Sequence, residues 1–136
     1  MKIALIGFGT VGQGVYQILQ EKKDLIKEVT KEEIQVKYIV NSGRNLERFA
    51  PEIREKINLD YDQVLEEVDL IVEATGAYQA GFDYIKKAME KKVHVVTANK
   101  AVVSGFYEEL FDLAKENKVE FLFEASVCGG TPVISP

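Results

Sequence analysis

Apolar positions along the chain follow two rhythms that alternate from one end to the other. Short, nearly unbroken apolar runs occur at 3–6, 34–40, 69–74, 93–97 and 119–123. Runs of this length, bounded by polar or glycine-containing segments, read as buried strands. Between them, apolar residues recur every three or four positions: Val15, Ile18 and Leu19 over 11–22, Leu25, Ile26 and Val29 over 24–30, and Val64 and Leu65 over 61–67. Phe82, Ile85, Ala88 and Met89 do the same over 79–91, and Tyr107, Leu110, Phe111 and Ala114 over 105–117. That spacing predicts helices, each turning one apolar face to a core. Asp24 stands where an N-cap belongs. Residues 46–60 are charged and weakly periodic, which predicts short helical turns around Pro51.

Strands that alternate with helices build a parallel sheet covered on both sides. The predicted fold is therefore α/β: a Rossmann-type doubly wound, mostly parallel sheet with helices on both faces. No internal repeat or linker divides the chain, so 1–136 reads as one domain.

The first strand runs straight into Gly7-Phe8-Gly9-Thr10-Val11-Gly12 and then into a helix. Three glycines in that spacing, between strand and helix, make the context that a dinucleotide fingerprint requires. Gly7 permits the tight turn, and Gly9 lets a pyrophosphate approach the backbone without meeting a Cβ. Gly12 lets helix and strand pack closely. The unpaired N–H groups and positive dipole end of the helix then face the phosphates. A plain strand-to-helix turn is the other use for such glycines.

The second strand ends in Asn41-Ser42-Gly43-Arg44. NAD sites usually place an acid at this tip, about 20 residues beyond the glycines, to hold the ribose hydroxyls. The interval is longer in this chain because an extra helix intervenes, and the acid is missing. Arg44 nearby points to the 2′-phosphate of NADP(H), with NAD as a possible second cofactor. A solvated turn in which Arg44 has no ligand is the alternative. The strand at 69–74 runs into Thr75-Gly76, a glycine loop of the kind that rings a cofactor crevice, so Thr75 is a candidate ribose or phosphate contact.

Composition narrows the possible partners. A net charge of −5 and a pI near 5.0 argue against nonspecific nucleic-acid binding. No apolar run approaches the ~18 residues of a membrane span. A single cysteine, Cys128, and a single histidine, His94, leave no disulfide and no cluster for a metal, and they fit a reducing cytoplasm. His94, inside a strand with no acid beside it, reads as structural. Cys128 has no base placed to activate it and is not expected to be a nucleophile.

Two further segments suggest chemistry. Val96-Thr-Ala-Asn-Lys-Ala101 presents Asn99 and Lys100 at the carboxyl end of a strand. A helix cap and a surface lysine would explain that pair without chemistry. Phe123-Glu-Ala-Ser-Val-Cys-Gly-Gly-Thr-Pro132 follows the last strand with small residues, which let backbone run close to a ligand.

Together with the glycine turn these segments resemble homoserine dehydrogenase. The resemblance rests on GFGTVGQGV at 7–15, EATG at 73–76, VVTANKA at 95–101 and FEASVCGGTPVI at 123–134. Cys128 stands where relatives commonly have Gly or Ala. The resemblance implies NAD(P)H-dependent interconversion of L-aspartate 4-semialdehyde and L-homoserine, a step towards threonine and methionine. It also implies that Lys100 is catalytic, beside the nicotinamide and the reacting carbonyl, with Asn99 at the cofactor. Phe8, Thr10 and Val11 would cradle the pyrophosphate, Thr75 and Gly76 the nicotinamide-side ribose, and Gly129 to Pro132, including Gly130, the nicotinamide.

Members of that family are longer, with a substrate and dimerisation domain after the GGTP segment. The chain is therefore expected to be a cofactor domain that binds but does not turn over, cut from an enzyme that is a homodimer when intact. Exposed apolar surface is expected where the second domain docks. Two rival readings are a stand-alone NAD(H)-sensing regulatory module and another semialdehyde or amino-acid dehydrogenase. The first usually keeps an acid where Asn41 stands and needs neither of the later motifs.

Overall fold

The computed structural model describes residues 1–123; Cys128, Gly129, Gly130 and Pro132 lie outside them. Parallel strands β1 (Lys2–Ile6), β2 (Gln35–Val40), β3 (Leu70–Glu73), β4 (His94–Thr97) and β5 (Phe121–Leu122) form one sheet, ordered β2-β1-β3-β4-β5. The helices are α1 (Thr10–Glu21), α2 (Lys23–Thr30), α3 (Pro51–Arg54), α4 (Tyr61–Glu67), α5 (Tyr78–Glu90) and α6 (Lys100–Asn117), with a 3₁₀ turn at Leu46–Arg48. The chain steps from β1 out to β2, then returns to the far side of β1 to lay down β3, β4 and β5. Strand order thus reverses beside β1, which is where an open α/β sheet forms its ligand crevice.

Burial of both sheet faces explains why the strands read as unbroken apolar runs rather than alternating ones. Ala4, Ile6, Ile71 and Val95 pack towards α5 and α6, against Phe82, Ile85, Met89 and Leu110. Ile3, Leu5, Val36 and Ile39 face the opposite layer with Phe8 and Ile53. His94 Nδ1 accepts from the Glu120 N–H at 3.0 Å, next to β5. No helix among the described residues is long and apolar enough to cross a membrane.

The structure departs from the predicted elements at several points. Asp24 is not the N-cap of α2, which is Lys22, but lies within its first turn, and Ile18 of α1 is exposed rather than turned to the core. The last helix starts at Lys100 rather than 105, because the Asn99 side chain caps it by accepting from the Val102 N–H at 3.3 Å. Phe106 is kinked (φ −126°, ψ 25°), yet Val103, Phe106, Leu110 and Ala114 keep one helical stripe through the bend. Tyr107 and Phe111, expected inward, are 46% and 45% exposed and stack on each other at 5.6 Å, while Leu110 and Ala114 form the buried stripe. Finally, α2 buries none of its residues; Leu25 and Val29 stay exposed because this helix leans on α1 rather than on the sheet.

Candidate cofactor site

The glycine loop is pinned at the reversal point. Gly7, at φ 92°, donates its N–H to the Val40 carbonyl at 2.7 Å, while the Ala74 N–H reaches back to the Ile6 carbonyl at 2.8 Å. A Cβ on Gly7 would lie 2.8 Å from the Ala74 carbonyl oxygen, and one on Gly12 would collide with the Gly7 carbonyl. Gly9 is different: a Cβ there would meet nothing within 4 Å. Gly7 and Gly12 are thus demanded by the protein's own packing, whereas the bareness of Gly9 keeps open space in front of the backbone.

The donors facing that space suit an anion. Helix α1 starts at Gly9 with no side-chain cap and no acid in its first turn. Its leading N–H groups are left for an anion, at the positive end of the helix dipole. Two loop carbonyls are already occupied: Phe8 O accepts from Gln13 Nε2 at 3.0 Å and Gly9 O from the Gln13 N–H at 2.9 Å. The cleft in front has a volume of about 580 Å³, within the ~300–1,000 Å³ usual for cofactor pockets. Gly7, Phe8, Gly9, Thr10 and Val11 form its floor. Val40, Asn41, Ser42 and Arg48 line one end, and Ala74, Thr75, Gly76, Ala80, Tyr84 and Ala98 the other. No carboxylate lines it among the described residues.

At the β2 end, Asn41 is spent on its own turn, its Oδ1 accepting from the Gly43 N–H at 2.9 Å. Arg44 is exposed on that turn and does not line the cleft, whereas Arg48 does. The Arg48 guanidinium lies over the Phe49 ring at 4.6 Å, and Phe49 meets Phe8 of the glycine loop edge-on at 5.5 Å. The cation is thereby held by the same aromatic stack that supports the loop, a contact worth about 0.5–1 kcal/mol at an exposed site. Arg48 escaped the sequence reading because it sits in a weakly periodic segment. Its adjacency to an aromatic was the available signal.

At the other end, Thr75 and Gly76 line the cleft as their position predicted, and Asn99 and Lys100 follow the lining residue Ala98. Lys100 is exposed and forms no ion pair among the described residues. Asn99 is buried behind the loops, where its Nδ2 donates to the Ala77 carbonyl at 2.8 Å. Behind both loops lies Glu73, a fully buried carboxylate. Thr97 Oγ1 donates to its Oε1 at 2.5 Å, and Thr75 Oγ1 and N–H donate to its Oε2 at 2.6 and 3.0 Å. Burial pushes the phenol of Tyr61 up, with the neighbouring Tyr84 and Glu73 adding to the effect. Glu73 and Thr97 also escaped the sequence reading, although one acid ending an otherwise apolar buried strand was a signal.

The pattern of the family described as "Homoserine dehydrogenase, NAD binding domain" matches residues 7–124. Homoserine dehydrogenase of Bacillus subtilis is 32% identical over 136 residues, covering 98% of this chain but 31% of that protein. The crystal structure of the Staphylococcus aureus homoserine dehydrogenase at pH 7.5 superposes with a TM-score of 0.85 at 35% identity, covering 96% of this chain and 33% of that one. A hyperthermophilic archaeal homoserine dehydrogenase mutant in complex with NADPH gives a TM-score of 0.76 at 26% identity, over 97% of this chain and 46% of that one. The chain thus spans about a third of the length of the first two relatives and just under half of the third. With the fingerprint loop, the crevice and these likenesses in agreement, the chain belongs to the homoserine dehydrogenase NAD-binding domain family.

Proposed function

We propose that this chain is the cofactor-binding portion of a homoserine dehydrogenase that uses NADP(H) to interconvert L-aspartate 4-semialdehyde and L-homoserine. The observation that carries the reading is a single one: the fingerprint loop, the Thr75–Gly76 loop and the segment leading to Lys100 converge on one cleft that no carboxylate lines among the described residues. A dihydronicotinamide bound there supplies the hydride. The chain's own contribution is to hold the pyrophosphate on the α1 N-terminus, the adenosine end beside β2, and the nicotinamide end towards β3 and β4. Lys100 then offers an ammonium to the carbonyl oxygen as negative charge develops on it. Substrate binding, homodimer assembly and the cytoplasmic setting belong to the intact enzyme in this reading. In that enzyme, aspartate 4-semialdehyde is expected to drive NADPH oxidation faster than other aliphatic semialdehydes do. Equal or higher turnover of the others would overturn the substrate assignment.

Preference for NADP(H) rests on the absence of an acid at the β2 tip and on the two arginines beside it. The superposed archaeal relative, in complex with NADPH, supports the same reading. A charge-assisted contact to the 2′-phosphate is worth enough that Arg48→Ala should weaken NADPH binding by about tenfold or more while leaving NADH unchanged. Arg44→Ala in parallel apportions the role. If only Arg48→Ala weakens NADPH, then Arg48 alone holds the phosphate; if neither variant does, the preference has another origin.

A further inference from the structure

Strand register places Glu73 opposite Thr97 on neighbouring strands, both at carboxyl ends and both facing the α5–α6 layer. Everything around the Glu73 side chain donates to it: the Thr97 hydroxyl, the Thr75 hydroxyl and N–H, and Asn99 Nδ2 at 3.4 Å. Each hydroxyl is in turn an acceptor. Thr75 Oγ1 takes the Ala77 N–H at 3.1 Å, and Thr97 Oγ1 takes the Asn99 N–H at 3.0 Å. Ala77 and Asn99 are the N-cap residues of α5 and α6. One carboxylate thus governs, through two threonine relays of the same form, where both helices begin. The Asn99-to-Ala77 bond closes the ring between them.

Filling space does not by itself call for polar side chains in this ring. An apolar side chain could occupy the position, and burying a carboxylate without a cation partner costs free energy that only a full set of hydrogen bonds offsets. The backbone on α5 is kept out of its way: a Cβ on Gly81 would lie 2.6 Å from Asn99 Nδ2 and 3.1 Å from Glu73 Oε2. The two loops so fixed carry Thr75, Gly76 and Ala98, which line one end of the cleft and not the end beside β2.

We infer that Glu73 is a positioning residue for the nicotinamide end of the site, setting the Thr75–Gly76 loop and the Asn99–Lys100 helix start relative to each other through Thr75 and Thr97. The inference rests on the cofactor reading proposed above. It separates the two ends of the dinucleotide: loss of the ring loosens the β3–β4 end and leaves the phosphate loop and the β2 end intact.

The test is calorimetric titration of the chain with NADPH and, separately, with adenosine 2′,5′-bisphosphate, which occupies the adenosine end alone. Glu73→Gln puts an amide donor among donors. It is expected to weaken NADPH by about tenfold, as loss of hydrogen bonds to a charged group does, and to leave the bisphosphate within about twofold. Thr97→Val removes one relay at nearly constant volume and should act in the same direction. Thr97→Ser keeps the hydroxyl and should restore binding. The Thr97 pair carries the comparison independently if Glu73→Gln does not fold. NADPH binding unchanged in both Glu73→Gln and Thr97→Val, parallel loss of both ligands, or a Thr97→Ser variant as weak as Thr97→Val would each overturn the inference. If the unaltered chain binds neither ligand, the cofactor reading itself fails and the inference falls with it.

Discussion

Lys100→Ala in the intact enzyme is expected to lower kcat/KM by about a hundredfold or more, the usual cost of losing an electrostatic stabiliser of the transition state. The residue occupies the first position of α6, exposed, two residues beyond Ala98 in the cleft wall. Local stability does not explain a cation there. The start of a helix is its positive end, where a lysine costs a few tenths of a kcal/mol up to about 1 kcal/mol. Its backbone is fixed by the Asn99 cap, so the side chain springs from a rigid base. In the function proposed above, a carbonyl that receives hydride becomes an alkoxide, whose charge the Lys100 ammonium would stabilise and to which it could give a proton. Because the charge appears only as hydride arrives, kcat should carry most of the loss and KM little. Lys100→Arg keeps the charge but is a far poorer proton donor, so a partial recovery would assign the larger part to electrostatics. Near-normal activity of Lys100→Ala would remove the residue from the mechanism.

The second large effect concerns the glycine loop, where two neighbouring substitutions should fail in opposite ways. Gly12→Ala drives a methyl into the Gly7 carbonyl at the helix–strand contact. Overpacking of backbone against backbone belongs at the upper end of the usual penalty, about 3 kcal/mol, which should lower Tm by about 10 °C in a domain of this size. Gly9→Ala meets nothing in the protein and should leave Tm unchanged. Its methyl would stand instead where the pyrophosphate is proposed to approach, so NADPH affinity should fall by about tenfold or more. Gly14→Ala is the control. It meets nothing within 4 Å and lies inside α1, so a rise of about 0.5–1 kcal/mol in stability is expected. Thermal melts and NADPH titrations on the three variants check the whole pattern. If Gly9→Ala were as destabilising as Gly12→Ala, the loop would be a structural turn and not a phosphate cradle.

Much of this molecule was legible along the chain because its strands are buried on both faces. Runs such as Ile3 to Ile6 and the helical spacing of Phe82, Ile85, Ala88 and Met89 encode burial directly, and all of these residues are buried. The glycine loop was legible for a related reason. Its spacing is a local consequence of turn, approach and packing, all within six residues. What escaped the reading depends on which strands become neighbours. Glu73 and Thr97 are 24 positions apart and meet only because β3 and β4 pair in a particular register. Arg48 reaches the cleft through Phe49 and Phe8, a contact between a 3₁₀ turn and a loop distant in sequence. The start of α6 was concealed differently. Val103, Phe106, Leu110 and Ala114 keep helical spacing, but taking the exposed aromatics Tyr107 and Phe111 into the apolar face puts the start of the run at 105.

The most direct measurement is calorimetric titration of the 136-residue chain with NADPH and NADH at matched ionic strength. A cleft with an uncapped helix N-terminus, no lining acid among the described residues and Arg48 at its β2 end should bind NADPH at least about tenfold more tightly than NADH, as a charge-assisted phosphate contact implies. NADH binding as tight as or tighter than NADPH would contradict the NADP(H) assignment, and binding of neither would contradict the cofactor site itself.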